Sequence, residues 1–568
     1  MASWREAELI RACYALAMMD RVWTHRRLIG EAGILAIIAL AVRLPHLASA
    51  TPWYDDFYHL LAARHLLVDG TFGVADGEYT RATLFTRMVA ESLRLFGDSL
   101  AAGRVPALVA GTLWAAAVFA WFRHIGGAVA GWTAGLLFAL DPGAVNLSQW
   151  VRFYTPHGLA VWIGVVCVYH LVSSPLDRRR GAALGVVGIA SFALAMHLQE
   201  TTVLAIGAAG LWAGAVIVLA LPGWVSSGPH PGRRRQLVAA AALALVASAA
   251  WFVASGRAAG YWERYTTPFF WMEGTEVDPR WYFWWFAIRY ATLWTLFPVA
   301  IALAVSRFPR PALFSLVMFA VAFLAVSFGT GQQERYLYFA LPYFFGLWGL
   351  AAVTLLPALF EACKRTVAAL GDLGLGTARR PLVAGAITFL ALAFVASQNE
   401  APRTAVRMVF PGEGGRPYRQ ADWAAVLPQL QPLVDSADVV LSSFLLKPLY
   451  YFDRGDYHLS WTETGEAGSE NGHPVEFSHD RRTGLPAIST PESLAAVMGC
   501  FESGLILTER FHLNRQHLLP EATTAFILDR TEEVPLPPDS WVLAFRWRHE
   551  APADASSCSP PRRATPRA

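Results

Sequence analysis

Long apolar segments alternate with short polar segments along most of this sequence. A helix needs roughly 20 apolar residues to cross the hydrocarbon core of a membrane, and about eleven segments reach that length. We expect spanning helices near residues 28–48, 102–122, 128–147, 156–173, 182–200, 201–221, 237–255, 283–304, 311–328, 337–357 and 382–398. The pattern therefore predicts a polytopic α-helical membrane domain over residues 28–398.

Basic residues in the loops orient these spans, because short loops rich in Lys and Arg stay on the cytoplasmic side. Every second loop carries such residues: Arg123, residues 178–180, residues 233–235, Arg307 and Arg310, and Lys364, Arg365, Arg379 and Arg380. We therefore expect residues 1–27 in the cytoplasm and everything after residue 399 on the extracytoplasmic side. The N-terminal region shows no convincing cleavage site, so the first apolar run is expected to remain as an anchor.

The loop 49–101 lies on the predicted outer side although it contains several arginines. It also carries many Asp and Glu residues, and long loops of balanced charge follow the positive-inside rule poorly. Apolar residues recur at helical spacing around residues 60–66 and again around residues 84–95. This loop is therefore predicted to hold two helices that lie at the membrane interface.

The sequence changes character after residue 399, where apolar runs shorten and Pro, Gly and charged residues become more frequent. Residues 422–433 and 489–501 have the pattern of helices, and Pro491 is placed to start the second one. Residues 438–442 and 504–508 have the composition of buried strands, whereas residues 461–487 are predicted to be loop. We expect an extracytoplasmic α/β domain over residues 399–555 and a disordered tail over residues 556–568.

Composition agrees with a membrane protein. Hydrophobic residues make up 55% of the chain and charged residues only 16%, whereas globular domains average about 25% charged. These values exclude a soluble enzyme of this length, and a net charge of +3 gives no indication of nucleic-acid binding. The five cysteines show no metal-ligand spacing. Cys500 and Cys558 lie in the same C-terminal region, and whether they pair in an oxidising compartment stays open.

Polar residues that are unusual near the ends of spans all fall on the predicted outer side. They are Asp55 and Asp56, then Asp141, Asn146, Gln149, Arg152 and Tyr154, then His197, Gln199 and Glu200, and finally the polar residues within 263–280 and 332–336. Ionisable groups at membrane depth cost several kcal/mol each. Their gathering on one face predicts a polar site that opens outward beneath the C-terminal domain.

The adjacent carboxylates Asp55 and Asp56 have two interpretations. If Thr51 caps a helix that starts at Pro52, acids in its first turn simply complement the helix dipole. Alternatively, the pair serves as a general base or binds a divalent cation. In that helix Asp55 and His59 would share one face at i and i+4.

Short motifs occur in a fixed order along the chain. They are Asp55-Asp56-Phe57-Tyr58, Leu95-Phe96-Gly97, Arg104-Val105-Pro106, Arg152-Phe153-Tyr154, and Arg335-Tyr336 followed by Pro342. In this order they resemble the GT-C glycosyltransferases, in particular the protein O-mannosyltransferase-like branch that includes the lipid A aminoarabinose transferases. The resemblance covers residues 28–400. The chain departs from it at Asp56, where Glu is usual.

The resemblance implies a membrane glycosyltransferase that moves a sugar from a polyprenyl-phosphate donor to an acceptor hydroxyl on the extracytoplasmic side of a bacterial inner membrane. Besides membrane lipids, its partners would be that donor and a lipid, polysaccharide or protein acceptor. It further implies Asp55 and then Asp56 as catalytic carboxylates, and a divalent cation (Mg or Mn) held by them stays open. A carboxylate can remove the acceptor proton, and arginines suit the lipid phosphate.

Several of the further candidate site residues have an alternative interpretation. For the donor phosphate and lipid we expect Arg335, Arg152, Arg81 and Tyr336, and for substrate binding His59, Tyr154, His197 and Glu200. The arginines are otherwise interfacial anchors or partners of nearby acids, and His197 is otherwise a hydrogen-bonded histidine at a helix end. Trp281, Trp284 and Trp285 either stack on sugar or lipid or belong to an interfacial aromatic belt.

A transporter or flippase for lipid-linked sugars is the main alternative function. It would also gather polar residues in a membrane cavity, but transporters usually have two similar halves with charges near the bilayer midplane. This sequence shows no such halves, and its charges lie at one face.

Overall fold

The structure is a computed structural model that describes residues 26–174, 176–226, 277–329, 332–369, 379–409, 421–459, 478–480, 483–513 and 519–549, with isolated residues between 236 and 263. The predicted span 237–255 falls largely outside these residues. Within the described part, seven helices are long and apolar enough to cross a membrane. The chain is therefore a helical membrane protein, with a C-terminal α/β sheet.

The first half of the membrane domain contains eight helices among the described residues. They are α1 (26–43), α2 (Asp56–Val68), α3 (Thr83–Phe96), α4 (Leu100–Ala139), α5 (Pro142–Leu147), α6 (Tyr154–Ser173), α7 (Arg178–Leu198) and α8 (Thr202–Ser226). The two spans predicted at 102–122 and 128–147 are joined in α4, where Gly127 breaks the helix with φ 81° and ψ −172°. Glycine tolerates this left-handed backbone because it has no Cβ.

The second half of the membrane domain continues with seven helices in the described residues. They are α9 (Trp281–Arg289), α10 (Ala291–Thr295), α11 (Phe297–Arg307), α12 (Pro309–Ser327), α13 (Leu341–Ala369), α14 (Arg380–Ser397) and α15 (Glu400–Val409). The predicted span 283–304 is thus three short helices, because Tyr290 and Leu296 leave helical geometry. Between α12 and α13, Glu334–Tyr336 and Tyr338–Ala340 form 3₁₀ turns.

The core of this domain is the contact between α4 and α13. Two glycines of α13 permit the close approach of the helices. A Cβ at Gly349 would lie 2.7 Å from the carbonyl oxygen of Ala130, and one at Gly346 would overlap the ring of Phe122. Small residues at such positions are typical of helix packing in membranes, where close backbone approach replaces the hydrophobic effect.

The loop 49–101 contains the two predicted helices, α2 and α3, and a small hairpin of β1 (Gly73–Val74) and β2 (Gly77–Glu78) that was not predicted. The expected start of α2 at Thr51 and Pro52 is wrong, because the helix begins at Asp56. The backbone N–H of Trp53 donates to Asp56 Oδ2 at 3.0 Å, and this bond folds the preceding residues into a turn instead.

The C-terminal domain is built on a seven-stranded sheet. Its strands are β3 (Val439–Ser442), β4 (Tyr457–Leu459), β5 (Ser478–His479), β6 (Pro486–Ile488), β7 (Ser503–Glu509), β8 (Glu532–Val534) and β9 (Val542–Arg548), in the order β5-β6-β4-β3-β7-β9-β8. The central strand β3 runs parallel to both of its neighbours, β4 and β7. Two separate hydrophobic clusters cover its faces, which is the predicted α/β architecture.

The helices of this domain are α16 (Trp423–Ser436), α17 (Leu446–Phe452), α18 (Pro491–Cys500), α19 (Arg510–Leu513) and α20 (Glu521–Arg530). Both predicted helices are present, and the side chains of Asp422 and Thr490 cap them by accepting backbone N–H groups of α16 and α18. The prediction of loop for 461–487 is wrong at its end, where β5 and the start of β6 pair, and residues 461–477 lie outside the described part. Cys500 is disulfide-bonded, with its partner outside the described residues.

The C-terminal domain rests directly on α2. The ring of Phe57 lies 5.1 Å from that of Tyr450, and Arg64 Nη1 donates to the Tyr450 carbonyl at 3.1 Å. One turn earlier, the ring of Tyr54 contacts Phe444 at 5.0 Å. The residues next to Asp55 therefore lie between the membrane domain and the C-terminal sheet.

Candidate active site

Three segments that are distant in the sequence converge on the carboxylate of Asp55. Asp55 occupies the N-cap position of α2. Arg335, in the 3₁₀ turn before α13, places Nη1 2.9 Å from Asp55 Oδ2, and Arg152, between α5 and α6, places Nη2 3.7 Å from the same oxygen. The side chain of Asp55 is 21% exposed while that of Arg152 is 2% exposed. The carboxylate is thus partly accessible and is held by two guanidinium groups that are less exposed than it is.

Asp56 is fully buried, unlike its neighbour. Its Oδ2 accepts the Trp53 N–H, and its Oδ1 accepts the Val151 N–H at 3.1 Å. The carboxylate thereby ties the turn before α2 to the segment that carries Arg152. Both oxygens face backbone donors, which is the arrangement of a carboxylate that holds a structure together.

The two arginines keep unused hydrogen-bonding capacity. Arg152 Nη1 donates to the Tyr79 hydroxyl at 3.1 Å and to the Asp55 carbonyl at 3.3 Å. Among the described residues, neither Arg152 Nε nor Arg335 Nε has a hydrogen-bond partner, although both atoms are buried. Leaving a buried donor unpaired costs about 1–3 kcal/mol. Unpaired donors of this kind, next to the partly exposed Asp55, are suited to binding an anion.

His59 is fully buried one turn after Asp55. Burial lowers the pKa of His59 well below its usual range, and the nearby charges of Arg152 and Arg81 lower it further. The imidazole is therefore neutral at physiological pH. Its Nδ1 is 2.9 Å from Thr86 Oγ1, and its Nε2 has no partner among the described residues.

The two predicted tyrosines lie beside the arginines. Tyr154 is buried, and its ring lies 5.7 Å from the Arg152 guanidinium carbon. Tyr336 lies 5.5 Å from that of Arg335. Burial raises the pKa of the Tyr336 phenol even though Arg335 opposes the shift, so the hydroxyl remains protonated and able to donate.

The remaining predicted residues lie further along the rim. Arg81 is exposed and donates to Gln199 Oε1 at 2.8 Å. His197 Nε2 accepts the Leu84 N–H at 3.3 Å and so binds the start of α3, while Glu200 is exposed in the turn before α8. In the described part of the chain, neither His197 nor Glu200 makes a hydrogen bond or ion pair with Asp55.

Three residues of this region were not among the predicted site residues. The Tyr79 hydroxyl accepts a hydrogen bond from Arg152. Gln199 is buried, and its side-chain oxygen accepts a hydrogen bond from Arg81. Glu334 forms an ion pair with Arg289, with 3.2 Å between Oε2 and Nη1. Gln199 and Glu334 were among the polar residues assigned to the predicted outer face, so their position in the sequence could have identified them. Tyr79 carries no such signal.

The carboxylate pair does not fit a divalent cation as it is placed. Asp56 directs both oxygens at N–H groups, and Asp55 faces two guanidinium groups that would repel a cation. Among the residues described, no group of three or more His, Cys, Asp or Glu side chains is arranged to hold a metal ion.

No family model matches the sequence, and no curated protein gives a significant match. The fold does match solved structures. ArnT from Cupriavidus metallidurans, solved with undecaprenyl phosphate bound, is 13% identical and matches with a TM-score of 0.53 over 91% of this chain and 97% of its own. The oligosaccharyltransferase AglB from Archaeoglobus fulgidus, solved with an inhibitory peptide and a dolichol-phosphate, is 11% identical, with a TM-score of 0.53 over 91% of this chain and 74% of its own.

Both of these proteins are GT-C glycosyltransferases. The chain described here has the GT-C fold, which confirms the resemblance carried by the sequence motifs at the level of architecture. At these identities the likeness extends to the fold alone.

Proposed function

We propose that this protein is a membrane glycosyltransferase that transfers a sugar from a polyprenyl-phosphate donor to an acceptor hydroxyl on the extracytoplasmic side. The observation that carries the proposal is the Asp55 carboxylate, partly exposed and held by Arg335 and Arg152, whose buried Nε atoms lack partners among the described residues. This arrangement joins a proton acceptor to an anion-binding pair.

In the proposed reaction Asp55 removes the acceptor hydroxyl proton as that oxygen attacks the anomeric carbon. The bond between the anomeric carbon and the phosphate oxygen breaks, and the polyprenyl phosphate leaves with the bonding electrons. General-base catalysis of this kind contributes about 10²–10⁴-fold. Because Asp56 has both oxygens bound to backbone N–H groups, a single displacement with inversion is favoured over a covalent intermediate.

Arg335 and Arg152 stabilise the charge that develops on the departing phosphate. Guanidinium groups stay protonated and bind phosphate oxygens in a fork, and a partly dry site strengthens the interaction. Arg335 donates to Asp55 from Nη1, and its Nε has no partner among the described residues, so the Nε side of the guanidinium is available to the phosphate. Phosphate binding then draws Arg335 away from Asp55 and releases the carboxylate for the acceptor proton.

The other candidates take supporting roles. Asp56 positions Asp55 and Arg152 through the backbone, and neutral His59 offers Nε2 as a hydrogen-bonding group. Tyr154 and Tyr336 flank the arginines. Arg81, anchored by Gln199, provides an outer positive charge for the phosphate, while His197 and Glu200 shape the rim.

The lipid chain of the donor also has a place to bind. An apolar groove of about 360 Å³ is lined by residues of α1, α4 and α15, among them Val42, Leu136 and Val406. Asp141 also lines the groove, and its Oδ1 accepts the Tyr290 hydroxyl at 2.5 Å. This groove supports a prenyl chain as the part of the donor that enters from the membrane.

The test is transfer of label from a panel of radiolabelled polyprenyl-phosphate sugars in membranes that contain wild type or Asp55→Asn protein. Wild type should move label to an extractable acceptor, while Asp55→Asn should lose at least a hundredfold in rate and still bind polyprenyl phosphate. Near-normal turnover of Asp55→Asn would rule out the base.

The competing function is a flippase for lipid-linked sugars, since a polar cavity in a membrane protein also suits transport. Wild type that releases no label from any donor, with acceptor extracts supplied, but moves the donor across a liposome bilayer would establish that alternative.

A further inference from the structure

A cleft of about 260 Å³ opens beside Arg335. It lies between the segment before α2, helix α5, helix α9 and the 3₁₀ turn before α13. Among the described residues that line it, Trp53, Trp150, Trp281 and Trp285 provide the walls. Binding pockets for drug-sized molecules occupy roughly 300–1,000 Å³, so this cleft matches a ligand about as large as one sugar ring.

The four tryptophans form two stacked pairs. The rings of Trp53 and Trp150 lie 5.3 Å apart with an interplanar angle of 13°, and those of Trp281 and Trp285 lie 6.3 Å apart with an angle of 6°. Such pairing holds the rings rigid. Trp284, on the same helix as Trp281, is 61% exposed and does not line the cleft. Only some of the tryptophans of α9 therefore line the cleft, unlike those of a uniform interfacial belt.

Polar side chains also line the cleft. Arg335 lines it and also bonds Asp55, so the cleft begins where the anomeric carbon would react. Asn146, Gln332 and Gln333 add amide groups. A sugar ring has an apolar C–H face that packs on aromatic rings and a rim of hydroxyls that bonds amides, which is the chemistry that these walls provide.

The charges of the cleft are balanced. Its charged lining residues in the described part are Glu334 and Arg335. Glu334 is paired with Arg289, and Arg335 is paired with Asp55. The face of a Trp ring attracts cations. At Trp285 the guanidinium carbon of Arg289 already lies 5.4 Å from the ring centre and covers that face. No carboxylate among these lining residues is left for a protonated amine.

We infer that this aromatic cleft binds the sugar ring of the lipid-linked donor and selects a neutral monosaccharide over a cationic amino sugar. The inference rests on the proposed transferase function and names the substrate class of the same site. In this inference Trp281 packs on the sugar ring and determines specificity for it, while Trp285 holds Trp281 in place through the stacked pair.

The test compares the affinity of the full-length protein for polyprenyl-phosphate glucose and for polyprenyl phosphate without sugar. Trp281→Ala should weaken binding of the sugar-bearing lipid roughly two- to tenfold, the range expected for one aromatic contact. Binding of the sugar-free lipid should not change. Trp281→Phe should recover most of the loss, and Trp284→Ala on the same helix should bind both lipids as wild type does.

Equal weakening of both lipids by Trp281→Ala, or no weakening of either, would overturn the sugar subsite while leaving wild-type transfer intact. If wild type neither binds nor transfers any lipid-linked sugar, the proposed function fails and this inference fails with it. In the selectivity arm, wild type should bind a polyprenyl-phosphate 4-amino sugar at least tenfold more weakly than its neutral counterpart. Equal or tighter binding of the amino sugar would refute the charge argument.

Discussion

The buried carboxylate of Asp56 gives the sharpest prediction, because its neighbour Asp55 is a matched control. Asp56→Asn keeps one acceptor oxygen but turns an NH₂ group towards a backbone N–H, either that of Trp53 or that of Val151. A hydrogen bond to a charged group contributes about 1.5–3 kcal/mol, and the N–H left unpaired costs about 1–3 kcal/mol. We therefore expect Asp56→Asn to destabilise the protein by about 2–4 kcal/mol.

Thermal unfolding of the detergent-solubilised protein, followed by tryptophan fluorescence, measures this loss. Asp55→Asn should shift the midpoint far less, since its carboxylate is partly exposed, but should abolish transfer. Asp56→Glu should also be destabilised, by about 1–3 kcal/mol, because a longer side chain at a fully buried position forces its neighbours to shift. A stable Asp56→Asn protein that has lost turnover would refute this reasoning and make Asp56 catalytic.

Three further predictions concern the helix packing, the contact between the domains and a buried histidine. Gly349→Ala should lower the unfolding midpoint, because the added Cβ would lie 2.7 Å from the Ala130 carbonyl, whereas Gly385→Ala, with open space at that position, should not. Arg64→Ala removes the hydrogen bond to the Tyr450 carbonyl and should speed limited proteolysis at the domain junction; unchanged cleavage would contradict this role. Burial, with Lys447 and His458, lowers the pKa of His512 to about 3. The contribution of the neutral, buried His512 to the free energy of unfolding is therefore complete above pH 6.5 and is lost as the pH falls towards 3. At pH 5 the loss is about 2 kcal/mol. His512→Gln should flatten that decline between pH 7 and pH 5, and an unchanged slope would contradict it.

The length of the apolar segments was enough to predict a helical membrane domain, and the alternation of helix and strand was enough to predict the C-terminal α/β fold. The breaks in α4 and around Tyr290 were less accessible, because a long apolar run does not reveal where its backbone bends. The predicted topology also placed Asp55 and Arg335 on the same side of the membrane, although 280 residues separate them, and in the structure the two side chains form a hydrogen bond.

The separate natures of Asp55 and Asp56 could not be predicted. In the sequence they are equivalent adjacent acids, and only tertiary structure brings the Val151 N–H to one of them. The start of α2 was missed for the same reason, because a side chain three residues later decides the backbone at Trp53. The cleft depends on which side of α9 faces inward, which the aromatic composition of residues 281–285 does not specify.

The packing of the C-terminal domain on α2 has a consequence for the biosynthesis of this protein. The contact between Arg64 and Tyr450 joins residues 386 positions apart. During synthesis, α2 and Asp55 emerge early, but Phe444, Tyr450 and Tyr451 cannot cover them until most of the chain has been translated and the late domain has folded. A partly made protein therefore holds Asp55, the proposed base, before the C-terminal domain has packed on α2, and the proposed active site is complete only at the end of biogenesis.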